Sequence, residues 1–160
     1  MNIHVRKATI EDMPAVHALI SELADYEKAP HEVTNTVADM ERDGFGSNPV
    51  FHCQVAEVDG HLIGMAIYFI KYSTWKGKGV YLDDIVVTSD YRKKGAGKVL
   101  LDAVIRHSAE LRAKQLHWQV LDWNTPAIEF YKKYSVSFDS EWINCKMTEE
   151  QIAQYIKSAE

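Results

Sequence analysis

Leu82-Asp83-Asp84-Ile85-Val86-Val87, followed closely by Tyr91-Arg92-Lys93-Lys94-Gly95-Ala96-Gly97-Lys98-Val99-Leu100-Leu101, decides how this chain folds. The first run reads as an apolar β-strand carrying two acids, and the second as a glycine-containing turn that leads straight into an amphipathic helix. The first turn of a helix leaves backbone N–H groups without intrahelical acceptors, and glycine lets a ligand approach them closely. Such a junction suits a phosphate or pyrophosphate. The acids at the start of the strand place proton chemistry a few residues away. Together these features point to a nucleotide-type cofactor beside a reacting group.

The spacing excludes two common phosphate cradles. A dinucleotide turn needs a third glycine three residues after Gly97, where Leu100 stands. A Walker-type loop needs four residues between its glycines and a Lys-Ser/Thr pair, and neither is present. Arg92, Lys93, Lys94 and Lys98 surround the turn with positive charge. That favours a phosphate-rich ligand over the alternative, a turn whose glycines only relieve strain.

On either side of this junction the pattern gives an ordered series of elements. Ile3 to Lys7 alternates like a short strand. Thr9 and Asp12 resemble a helix-starting cap, and Met13, Val16, Leu19, Ile20 and Leu23 form one apolar helical stripe ending near Lys28. A shorter helix is expected from Thr34 to Gly44. Phe51–Val58 and Leu62–Tyr72 read as strands joined by Asp59-Gly60, a strong hairpin signal. Gly79–Val87 is the next strand, after a loop over Ser73–Lys78. Gly95 to about Leu111 is a helix with Leu100, Leu101, Val104, Ile105 and Leu111 inward. Leu116–Leu121 reads as a strand, Thr125–Tyr134 as a helix, Trp142–Met147 as a strand, and a final helix opens at Thr148. This order predicts an α/β (α+β) fold: a mixed, mainly antiparallel sheet with helices on both faces, as one domain over 1–160.

Bulk properties narrow the function. The 160 residues are 46% hydrophobic and 26% charged, as in an ordinary globular protein with a real core. A formal net charge of −5 argues against nucleic acid as main partner and for cationic small molecules. No apolar run reaches the ~18 residues of a membrane span. The start shows no signal-peptide pattern, so a cytoplasmic location is expected. Seven histidines show no metal-ligand spacing; His52, His61 and His117 read as packed or surface residues. Cys53 and Cys145 read as buried small hydrophobes.

At this level of detail the chain resembles a known family. Arg92-x-x-Gly95-x-Gly97 at a strand-to-helix junction, in this element order, is similar to the acyl-CoA-binding motif of the GNAT N-acetyltransferase superfamily. Asp43-Gly44-Phe45-Gly46 with Asn48-Pro49, Phe51-His52-Cys53, Tyr72-Ser73-Thr74-Trp75-Lys76-Gly77, Tyr81-Leu82-Asp83-Asp84, and Leu121-Asp122-Trp123-Asn124 before Phe130-Tyr131-Lys132 narrow the resemblance. They point to the diamine (spermidine/spermine and thialysine) N-acetyltransferase subfamily.

The resemblance implies acetyl-CoA as cofactor. Ile85, Val86 and Val87 would offer backbone groups to the pantetheine arm, while Arg92, Lys93, Lys94, Gly95, Ala96, Gly97 and Lys98 would hold the pyrophosphate. Asn124 would bind the far end of that arm. Tyr131, by its residues alone a core tyrosine beside Phe130, becomes the candidate acid that protonates the departing thiolate. Asp83 and Asp84 are adjacent and so are expected on opposite faces of the sheet. Asp83 is assigned to the amine, assisting its deprotonation through water, and Asp84 is left unassigned. Tyr26, Glu27, Trp75 and Glu141 match positions expected to line the amine site. The expected substrate is a small primary amine: a diamine, a polyamine, or thialysine or another lysine analogue. A homodimer is expected, with no nucleic-acid or membrane partner and no metal.

Four positions depart from the family pattern. Asp83 stands where relatives commonly carry glutamate, Lys93 where glycine often follows the arginine, and Ser135-Val136 where Gly-Ala is usual. Ser73 matches the thialysine type, whereas polyamine-type members tend to have an acid there. Two other readings stay open: a protein lysine or N-terminal acetyltransferase, and a CoA-binding regulatory module without turnover.

Overall fold

The computed structural model describes residues 1–158 and divides into two compact units, Met1–Gln119 and Val120–Glu160. The first unit is a five-stranded sheet in the order β1-β2-β3-β4-β5. Its strands are β1 (His4–Lys7), β2 (His52–Val58), β3 (His61–Ser73), β4 (Gly77–Val87) and β5 (Leu116–His117). The first four are antiparallel neighbours, and β5 joins β4 in parallel. Three helices belong to this unit: α1 (Met13–Tyr26), α2 (Val37–Phe45) and α3 (Ala96–Glu110).

The helices cover both faces, as the alternation demands. Met13, Val16 and Leu19 of α1 and Met40 of α2 pack on Cys53 and Val55 of β2, Met65 of β3 and Val86 of β4. Leu100, Leu101 and Val104 of α3 are fully buried, and α3 packs on the sheet with Leu100 against Gly64. Each such burial contributes about 1.5–3 kcal/mol. Gly64 is the close-approach point: a β-carbon there would lie 2.7 Å from the Val86 carbonyl oxygen and 3.1 Å from Leu100 Cδ1. At the other end of the sheet Arg6 forks onto both oxygens of buried Asp12, at 2.6 and 3.0 Å, and reaches Glu57. Asp12 also accepts from Thr9 N–H at 2.7 Å, so the cap read in the sequence is present. Asp59 (φ 50°) and Gly60 (φ 76°) make the hairpin turn with both residues left-handed.

Several sequence-based boundaries are corrected. Strand β5 is two residues long, not the six of Leu116–Leu121. Ile105, expected inward, is on the exposed side of α3, and Cys145, expected buried, is exposed. The second unit holds α4 (Thr125–Lys132) and α5 (Glu149–Ser158). Trp142–Met147 is not a strand. High β-propensity gives a strand only where a ladder partner exists, and here Trp142 and Ile143 are exposed with no ladder.

Candidate active site

The register of β4 against β3 contains one irregularity, and it falls on the acids. Leu82 lies opposite Tyr68, and Asp84 lies opposite Ile67. Asp83 is therefore the extra residue of a β-bulge. The alternation behind the expected opposite-face placement of Asp83 and Asp84 is interrupted here, because it holds only where pairing is one to one. Ile67 packs against the α1-side core, so Asp84 shares the α1 face with it. Leu82 shares the other face with Tyr68, which bonds to His107 of α3 at 2.7 Å.

Burial holds the carboxyl of Asp84 up to about 6, with further upward pressure from Asp83 and from Glu27 at the end of α1. Burial also raises Asp83 and Glu27. Tyr81 is raised by burial and then by both aspartates. None of the three acids has an ion-pair partner among the described residues. Glu27 and Asp84 are half-buried and Asp83 is exposed, and a cluster of acids without a cation has the charge to attract one.

Beside the cluster, β4 is an open edge. Its pairing with β5 covers only Val80–Leu116 and Tyr81–His117, so Ile85, Val86 and Val87 have a ladder on the β3 side alone among the described residues. Alternate backbone groups of this stretch face outward, able to bond an extended ligand. The chain then turns through Ser89–Tyr91 into the predicted anion site. Gly95 adopts φ 96° as the N-cap of α3, with nothing within 4 Å of where its β-carbon would be. The first intrahelical bond runs from Val99 N–H to the Gly95 carbonyl, so the N–H groups of Ala96, Gly97 and Lys98 have no acceptor within the helix. Lys93 is also left-handed, at φ 61°, which explains physically why glycine suits that position.

The basic residues around this turn have definite partners. Arg92 donates to the Val87 carbonyl at 2.9 Å and to Glu22 at 3.3 Å, with its guanidinium 5.1 Å from the centre of the Tyr26 ring. Glu22 also accepts from Ser89 N–H at 2.8 Å. Arg92 thus braces β4 and the turn to α1, a role its spacing does not reveal because Glu22 is 70 residues away. Lys98 pairs with Asp102, and Lys94 lies over the Tyr91 ring. The backbone amides of Ala96, Gly97 and Lys98 line the turn, and these side chains frame it.

Tyr26 and Glu27 end α1 next to this assembly. Trp75 is elsewhere: it lies in the turn between β3 and β4 and is 83% exposed. Six residue steps of strand lead from Gly77 to Asp83, roughly 20 Å, so one chain does not bring Trp75 to the acids. Tyr81, which the sequence reading missed as a site residue, adjoins Asp83; period-two spacing was the available signal.

The remaining candidates belong to the second unit. Asn124 caps α4, its side-chain oxygen accepting from Ala127 N–H at 3.4 Å. Tyr131 is buried, its ring 5.3 Å from that of Phe130. Glu141 is exposed in irregular chain, its N–H bonded to Asp139 at 2.9 Å. Ser135 takes φ 54° just past α4, the left-handed conformation expected at a helix end. Among the described residues no three His, Cys, Asp or Glu side chains, the three acids above included, are arranged to hold a metal ion, and no helix is long and apolar enough to cross a membrane.

Known proteins resemble this chain in sequence and in fold. The model of the acetyltransferase (GNAT) family matches residues 16–135. A thialysine N-ε-acetyltransferase of Mus musculus is 38% identical over 136 residues, covering 80% of each chain. A spermidine/spermine N(1)-acetyltransferase-like protein 1 of Homo sapiens is 37% identical over 79% of this chain and 19% of its own length. Among solved structures, an integron cassette protein from the mobile metagenome of V. cholerae superposes with a TM-score of 0.78 at 20% identity, covering 98% of this chain and 99% of that one.

Proposed function

The chain belongs to the acetyltransferase (GNAT) family, and from that premise we propose that it transfers an acetyl group from acetyl-CoA to the primary amine of a small cationic substrate. The observation that carries the substrate half is the cluster of Glu27, Asp83 and Asp84, three carboxylates with no cation of their own. A compact ammonium is its natural complement. The free N–H groups at the start of α3, the left-handed Gly95 and the open β4 edge fit an extended ligand ending in a pyrophosphate.

Acetyl-CoA, when bound, supplies the acyl group as an activated thioester, which the amine attacks directly. Asp83 holds the ammonium beside Tyr26 and Glu27 and accepts its proton, passing it to solvent through water. Alkylammonium groups have a pKa near ~10.4, so nothing proceeds until that proton leaves. The outward amides of Ile85–Val87 hydrogen-bond developing negative charge on the acyl oxygen. Two roles fall in the second unit and rest on the family resemblance: Tyr131 as the acid that protonates the thiolate, and Asn124 as a contact to the cofactor arm. Both units are read as one catalytic domain over 1–160. A homodimer and a cytoplasmic location complete the proposal, the dimer in keeping with exposed Trp142, Ile143 and Ile156.

Thiol release from acetyl-CoA tests the proposal, measured over putrescine, spermidine, lysine, thialysine and a lysine peptide. Release with at least one free amine is expected. No release with any amine removes the enzymatic reading, and release with the peptide alone moves it to a protein acetyltransferase. Tyr131→Phe is expected to lower kcat by 10-fold or more, in the range of a lost general acid; an unchanged kcat across pH removes that assignment.

A further inference from the structure

Glu22 joins α1 to the turn that precedes α3. Its Oε1 accepts from Ser89 N–H at 2.8 Å and from Arg92 Nη2 at 3.3 Å. One helical turn further on, the Tyr26 ring lies beneath the same guanidinium, with the guanidinium carbon 5.1 Å from the ring centre. The end of α1 thus grips Arg92 twice, by an acid and by an aromatic ring. Sequence reasoning did not single out Glu22, because its partners lie 67 and 70 positions away.

Arg92 is held but not used up. Of the five N–H groups of a guanidinium, Nε donates to the Val87 carbonyl at 2.9 Å and one Nη2 hydrogen goes to Glu22. The other three have no acceptor among the described residues, and the side chain is 38% exposed. They remain as donors on an arginine whose orientation is already fixed, the form that suits phosphate oxygens.

The same arginine meets both elements that carry the acids. Through Val87 it holds the end of β4, the strand of Asp83 and Asp84. Through Glu22 and Tyr26 it holds the end of α1, which leads into Glu27. The buried residues of α1 stop at Leu19. Past that point the helix rests on Ile20 and Leu23 against the core and, at its tip, on Arg92. Whatever fixes Arg92 therefore fixes the direction in which α1 presents Glu27.

We propose that Glu22 is a positioning residue that carries cofactor binding to the amine site. The pyrophosphate drawn to Arg92 stiffens the last turn of α1 through Glu22 and Tyr26, and so sets Glu27 for the amine. This rests on the acetyl-CoA reading above and adds to it a residue that touches neither substrate. Such coupling is reciprocal, so an amine at Glu27 tightens the cofactor by the same factor.

Hydrogen exchange on the full chain, with CoA alone as the probe, reads the transmission without turnover. Saturating CoA is expected to slow exchange of wild type in two places: the turn over 89–98, and the α1 end, where Glu27 N–H bonds to Leu23 and Ala29 N–H to Ala24. In Glu22→Ala the turn is expected to stay protected while the α1 end loses its CoA-dependent slowing; alanine is a strong helix former, so α1 itself is kept. Titration calorimetry then assigns the effect to Arg92. Glu22→Ala is expected to weaken CoA about fivefold or more in the wild-type background and less than about twofold in Arg92→Met. Glu22→Gln, whose amide oxygen can accept the same two bonds, is expected to bind CoA within about threefold of wild type. CoA-dependent slowing at the α1 end that is absent from wild type, or equal in Glu22→Ala, overturns the coupling and leaves the cofactor reading in place. An equal loss of affinity in the two Arg92 backgrounds, or a loss in Glu22→Gln as large as in Glu22→Ala, overturns the positioning role in the same way. No binding of CoA to the wild-type chain overturns both.

Discussion

Asp84 is the most strained ionisable group of the candidate site. Folding raises its carboxyl from an ordinary 3.8 to about 6, chiefly by burial. A raised carboxyl means that the folded chain binds more protons than the unfolded one between those values, so stability falls as pH rises through that window and stays lower above it. Asp84→Asn is therefore expected to stabilise the chain at pH 7.5 by on the order of 1–3 kcal/mol, the gain vanishing below about pH 4. Urea unfolding at pH 4 and 7.5 measures this, and an equal effect at both values contradicts it. Ser135 carries a different strain, at φ 54°. Ser135→Gly relieves it and is expected to raise the melting temperature, for a gain of at most ~1 kcal/mol; a lower melting temperature would mean that the serine side chain has a stabilising role. Both residues draw attention in the sequence, one as an acid in an apolar strand and one as serine in place of glycine. Neither strain is readable there, because burial and φ are set by what surrounds them.

At the scale of elements, β4 and α3 act as one device. The strand supplies the bulge and the open edge, and the helix supplies its first-turn amides. The hinge between them is fixed by Arg92 and Glu22 and by the packing of Leu100 on Gly64. Gly64→Ala would force a β-carbon to within 2.7 Å of the Val86 carbonyl, and either β4 or α3 must move. The expected cost is about 1–3 kcal/mol, read as a lower denaturant midpoint, together with a higher KM for acetyl-CoA. A loss of stability with an unmoved KM would separate the packing from the cofactor cradle. The strand, the turn and the helix were legible as a unit because period-two alternation gives way to period-3.6 within a few residues. The bulge was not legible, since two residues opposing one is a property of a strand pair. The Arg92 brace was hidden for the same reason: spacing along one segment says nothing of a partner on another.

For the whole molecule, the expected solution species has twice the 18.3 kDa chain mass. Light scattering on the eluting peak measures it, and a single species at 18.3 kDa removes the dimer from the proposal. The exposed apolar side chains of the second unit, Phe138, Trp142 and Ile143 among them, are the feature a second copy would relieve. The fold class, the four antiparallel strands β1 to β4 and the family were legible in the sequence, through hydrophobic period, the Asp59-Gly60 turn and the Arg-x-x-Gly-x-Gly junction. These are local signals, each carried by residues close together in the chain. Tertiary structure alone decided that Trp142–Met147 forms no ladder, that β5 stops after two residues, that Trp75 stands roughly 20 Å of strand away from the acids, and that Lys71 meets His117 across 46 positions. Each of these depends on which strand lies alongside and in which register, and hydrogen-bond pairing between distant segments is not encoded in the period of either one.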